Sequence, residues 1–75
     1  MTVDDLKKKL HEQGFPTYSY DIIGLGDIKG YDGMVMTKDS DKYNVFYEEK
    51  GIKQLLASFS EEDSACKYFL AEMNS

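Results

Sequence analysis

Few residues of this 75-residue chain carry the chemistry of an active site. They are one histidine (His11), one cysteine (Cys66), the neighbouring carboxylates Glu48 and Glu49, a glycine run GLGDIKG from 24 to 30, and the aspartates of DSD from 39 to 41. A nucleophilic cysteine needs a neighbour that favours the thiolate. Cys66 falls in an apolar helical stripe with no base beside it, where a free cysteine acts as a small core hydrophobe. Adjacent residues of a strand point to opposite faces, so Glu48 and Glu49 cannot share one site. Two His/Cys residues do not make a zinc ligand set. In GLGDIKG the third glycine comes one place late for a dinucleotide loop, no helix is expected after it, and Asp27 would repel phosphate. In DSDKYNVFYEEK a calcium loop would need glycine at Asn44 and glutamate at Lys50. The expectation is a protein that is not an enzyme and has no cofactor and no metal.

Totals narrow the remaining classes. The chain has nine lysines or arginines against fourteen acids, a net charge of −5, and no arginine. Phosphate binding draws on clustered Lys and Arg, so nucleic acid is not the expected partner, and an anionic lipid surface would repel the chain. No apolar run approaches the roughly 20 residues that span a bilayer. One cysteine excludes an internal disulfide, and MTVDDLKKKL lacks the apolar core of a signal peptide, so a reducing, cytoplasmic setting is expected. The charge favours a cationic partner.

The elements that would position a binding surface can be placed by pattern. Thr2 with Asp5 forms a capping box ahead of the stripe Val3, Leu6 and Leu10, and this helix should end near Gln13, before Gly14 and Pro16. YSYDII (18–23) reads as a short strand and GLGDIKGYDG as a loop. GMVMTK, KYNVFYEE and KQLLASF read as three strands of an antiparallel meander. Ser60 with Asp63 is expected to cap a second helix carrying Ala65, Cys66, Phe69, Leu70 and Met73 on one stripe. Residues 1–75 form a single α+β domain: an antiparallel sheet of three or four strands, with an N-terminal and a C-terminal helix packed on one face.

That packing gives the strand YNVFYEE two different faces. Tyr43, Val45 and Tyr47 would meet the helices, joined by Leu55, Ala57 and Phe59 of the next strand. Asn44, Phe46 and Glu48 would point away, with Gln54, Leu56 and Ser58, leaving Phe46 and Leu56 as apolar anchors among polar neighbours.

YNVFYEEKG followed by FSEEDSACKYFL resembles the small immunity proteins of bacterial polymorphic and contact-dependent toxin systems. Tyr43 stands at the aromatic position of that pattern. Val45, Phe46 and Tyr47 follow; Glu49, Lys50 and Gly51 make the turn; Phe59, Ser60, Glu61, Ala65, Cys66 and Tyr68 begin the helix. Tyr43 replaces a frequent tryptophan, Phe46 a tyrosine and Lys50 an arginine. The match runs from Tyr43 to Leu70 and does not cover the first 42 residues.

The resemblance implies a cytoplasmic inhibitor that covers the active site of a cognate toxin domain. The acidic balance suits a basic, nuclease-type toxin, and an NAD-degrading one stays open. The residues expected at the contact are Tyr31, Asp32, Asp39, Asp41, Asn44, Phe46, Glu48 and Glu49. The alternative is a non-catalytic interaction domain that forms a homodimer through the open sheet face by way of Phe46 and Leu56.

Overall fold

Thr2 starts the first helix as the capping box requires. In the computed structural model, which describes residues 1–26, 28 and 30–75, its side chain accepts from the Asp5 amide at 3.2 Å and the Asp5 carboxylate accepts from the Thr2 amide at 3.1 Å. Those bonds hold the Asp5 carboxyl below its ordinary value. Helix α1 (Val3–Glu12) buries Leu6 and Leu10, and Gly14, at φ 84°, turns the chain after it. A short 3-10 turn (Thr17–Ser19) leads into β1 (Tyr20–Ile22), followed by β2 (Gly33–Asp39), β3 (Lys42–Glu49), β4 (Ile52–Phe59) and α2 (Glu62–Met73).

The strands lie in the order β1-β2-β3-β4. The fold is α+β, and β2, β3 and β4 form the antiparallel meander. Between β3 and β4 the pair Glu49↔Ile52 is closed by Lys50 and Gly51, both at positive φ, as a two-residue hairpin turn requires. Strand β1 joins the sheet as an edge and runs parallel to β2, with Tyr20, Asp21 and Ile22 opposite Met34, Val35 and Met36. A parallel neighbour cannot be reached by a tight turn, so the glycine-rich stretch from 23 to 32 is the crossover.

Both helices cover one face. Leu6, Leu10, Ala65, Cys66 and Phe69 pack with Ile22, Met34, Met36 and Val45 in a single buried cluster. The helices run side by side in the same direction. The N-terminal ammonium of Met1 pairs with Asp63 at 2.5 Å and the Val3 amide donates to Glu62 at 2.8 Å, while at the far end the Asn74 side-chain amide donates to Gln13 at 2.9 Å. These contacts also move the start of α2. Its N-cap is Glu61 with no side-chain cap bond, and the expected Ser60–Asp63 box does not form because Glu62 and Asp63 are turned toward the start of α1. Among the described residues, no helix is long and apolar enough to cross a membrane.

Cys66 sits in the middle of this core with no exposed surface, and burial pushes its thiol up to about 11. A thiol-specific disulfide reagent at neutral pH should therefore leave the folded protein unlabelled and label it fully in denaturant. Rapid labelling without denaturant would show that Cys66 is accessible.

Candidate partner-binding surface

The sheet face away from the helices is set by the alternation of β3, and a bulge on β4 then alters it. Val45 pairs with Ala57 but Phe46 pairs with Leu55, so Leu56 is the extra residue. The expectation that Leu55 joins the core and Leu56 faces outward is reversed: Leu56 packs against the buried cluster and Leu55 is 55% exposed beside Phe46. Gln54 also changes sides, since it pairs with Tyr47 on the helix-facing side. Alternation counted from Phe59 holds only as far as the bulge.

Nor is the outer face left open. The crossover lies across part of it and lowers Ile28 onto the sheet. Ile28 is 6% exposed and Val35, outside the helix-side cluster, is fully buried. The Ile28 amide donates to both carboxylate oxygens of Glu48, at 3.3 and 3.4 Å, and Glu48 is 4% exposed. Two further contacts fix the loop. The Asp21 carboxylate accepts from the Gly26 amide at 2.7 Å, and the Lys53 ammonium donates to the Gly26 carbonyl. Asp27, named in the reading of GLGDIKG, lies outside the described residues.

Beside the loop lies a surface centred on the half-buried Phe46. Lys53 lies 5.8 Å over its ring, Leu55 is its cross-strand neighbour, and Leu25, adjacent to the anchored Gly26, is 87% exposed. Asn44 and Ser58 complete the row, joined by a 2.6 Å side-chain hydrogen bond. The centre is therefore apolar and its charge cationic, through Lys53. An apolar centre with the neutral polar neighbours Asn44 and Ser58 has the composition of a protein interface.

The residues expected at the contact are distributed as follows. Asn44, Phe46 and Glu48 share the outer face, but Glu48 is buried and engaged with the loop. Glu49 follows it on the opposite, helix-facing side. Asp39 and Asp41 lie at the β2–β3 turn. Tyr31 and Asp32 lie at the other end of the strands, about 24 Å away over the length of β3. Tyr31 packs on Tyr18 with ring centroids 4.6 Å apart, and Asp32 accepts from the Lys50 amide at 3.1 Å. Eight residues expected to share one face and its loops thus divide among that face, the opposite face and both ends of the sheet. The sequence reading missed Leu25 and Leu55. The first is a lone apolar residue between glycines, and the second was assigned to the core by uninterrupted alternation. The chain matches no family model, no curated protein and no solved structure.

Proposed function

We propose that this protein is an immunity-type inhibitor, a cytoplasmic binding domain without catalysis of its own that neutralises a cognate toxin domain by covering its active site. The observation that carries the reading is the cross-strand pair of half-buried Phe46 and exposed Leu55 on the outer face, with Leu25 exposed on the loop that Lys53 ties to this face. Apolar residues at the centre of a small interface supply most of its binding energy. The net charge of −5 steers a basic, nuclease-type partner toward the domain and raises the association rate more than the final affinity. The resemblance of residues 43–70 to immunity proteins supports the same reading.

The alternative, a homodimer through this face, draws on the same residues and on the unpaired edge of β4, where Ile52 is 73% exposed. The bulge beside Leu55 weighs against it, because an irregular edge pairs poorly with a second strand.

The test is co-production with the product of the gene immediately upstream. Cells making that product should survive only when this chain is present, and Leu55→Glu and Phe46→Glu should each weaken the complex by about tenfold or more, the effect of losing 1.4 kcal/mol. Circular dichroism should show both variants folded. A harmless upstream product, or no complex with it, sinks the reading; a mass that doubles with concentration and reverts in Phe46→Glu establishes the dimer instead.

A further inference from the structure

On the helix-facing side, α1 and α2 do not cover the whole sheet. Beyond their C-terminal ends lies an open trough of about 450 Å³. Its floor is Met34, Tyr47 and Leu56, and its walls are Phe15 and Met73. A smaller hollow of about 230 Å³ continues from Tyr47 and Gln54 past Glu49 to Ile52. The two share Tyr47 and Gln54 and make an open channel, with an apolar floor in its larger part, that runs toward the free edge of β4.

The electrostatics of this end are one-sided. Because the helices run parallel, both present their C-terminal carbonyls here, and each helix end carries the equivalent of about half a negative charge. Glu72 and Asp32 line the trough and Glu49 the adjoining hollow. Their field is felt on the floor: burial first, then the Glu49 and Asp32 carboxylates, push the Tyr47 phenol above its ordinary value. Among the described residues, the basic side chains near this end are Lys50 at the hairpin turn, which lines the smaller hollow, and Lys9 and His11 in the last turn of α1. None of these three lines the larger trough.

We propose that the trough is a second docking site, which takes an arginine or lysine with an adjoining apolar side chain from an extended segment of a partner protein. The methylene stem would lie on Met34 and Tyr47, with the charged head at Glu72 and Asp32, so that apolar contact and charge are both matched. An open channel leading to a sheet edge suits a chain segment better than a small molecule, which favours an enclosed cavity. This site is on the opposite side of the sheet from Phe46, and it does not depend on the partner's being a toxin.

The probe is the capped tripeptide acetyl-Leu-Arg-Leu-amide, with a citrulline version as its neutral isostere and agmatine as the small cation. Titrated into the labelled protein, the arginine peptide should shift the backbone amides of Met34, Tyr47, Gln54 and Met73 saturably. The citrulline peptide should bind about fivefold more weakly, the loss of one charge-assisted contact. Glu72→Gln should weaken the arginine peptide in the same direction, and Met73→Lys, which places the chain's own cation in the trough, should abolish the shifts while the spectrum stays dispersed. Equal binding of arginine and citrulline peptides overturns the proposal, as do shifts centred on Phe46 and Leu55, binding of agmatine as tight as that of the peptide, or no saturable shift at millimolar peptide. Failure here leaves the survival test of the outer face untouched, and failure of that test leaves this one standing.

Discussion

Gly33→Ala should detach β1 from the sheet and destabilise the domain by about 3 kcal/mol, at the upper end of what overpacking costs. A Cβ on Gly33 would overlap the carbonyl oxygen of Ser19, stand 2.8 Å from the carbon of that carbonyl and reach 3.0 Å from the Ile28 side chain. The first two neighbours are backbone and cannot rotate away. Relief requires the chain before β1 to move, and β1 is held by three register pairs only. A domain of this size is expected to have about 4–11 kcal/mol of stability, so the loss is a large share of the total. Urea denaturation checks it. A midpoint within error of the parent would mean that β1 lies further from β2 than described, whereas a loss accompanied by a lower m-value would show β1 already released in the folded state.

The second large effect is expected at Glu48. Glu48→Leu keeps an apolar-compatible volume on the outer face but removes the acceptor for the Ile28 amide, and a buried donor left unpaired costs about 1–3 kcal/mol. Each kcal/mol lowers the melting temperature of a domain this small by about 4–8 °C. Glu48→Gln, which retains a carbonyl oxygen at the same reach, should recover most of the loss. If leucine and glutamine variants melt together, the hydrogen bond is not what holds the loop. This carboxylate was expected to meet a partner, and its burial gives it a scaffold role instead: it holds the crossover that frames Phe46.

Features whose cause is local were legible in the sequence. The Thr2–Asp5 box needs only four consecutive residues, and the two-residue turn at Lys50–Gly51 follows from Glu49 and Ile52 closing a hairpin. The apolar stripe of α2 likewise announced Cys66 and Phe69. Features decided by distant residues were not. Ser60 looked like a cap, but Glu62 and Asp63 bond to the beginning of the chain. The inversion of Leu55 and Leu56 comes from one extra residue, which no alternation pattern marks. The direction of β1 has no local signature, since YSYDII would read the same in a parallel or an antiparallel pair. Ile28 is the clearest miss on the outer face: a single isoleucine in a glycine run has no period, yet it closes part of that face. The inner set Tyr43, Val45 and Tyr47 was placed correctly, and of the outer set Asn44 and Phe46, both half-buried, and Ser58 remain at the outer surface.

Unequal covers on the two sides of the sheet give the molecule two tiers of hydrogen exchange. The helix side is closed by two helices and a contiguous cluster, so amides in the centre of β3 should exchange only through global unfolding. The crossover side is closed by Ile28 and a few side-chain-to-backbone bonds, and lifting it exposes Val35 and Glu48 without disturbing Phe69 or Cys66. The Ile28 amide should accordingly exchange through a smaller, sub-global opening. A partner that grips Leu25 would act on that opening directly, making the loop's free energy of lifting a term in the affinity and leaving the core's stability out of it.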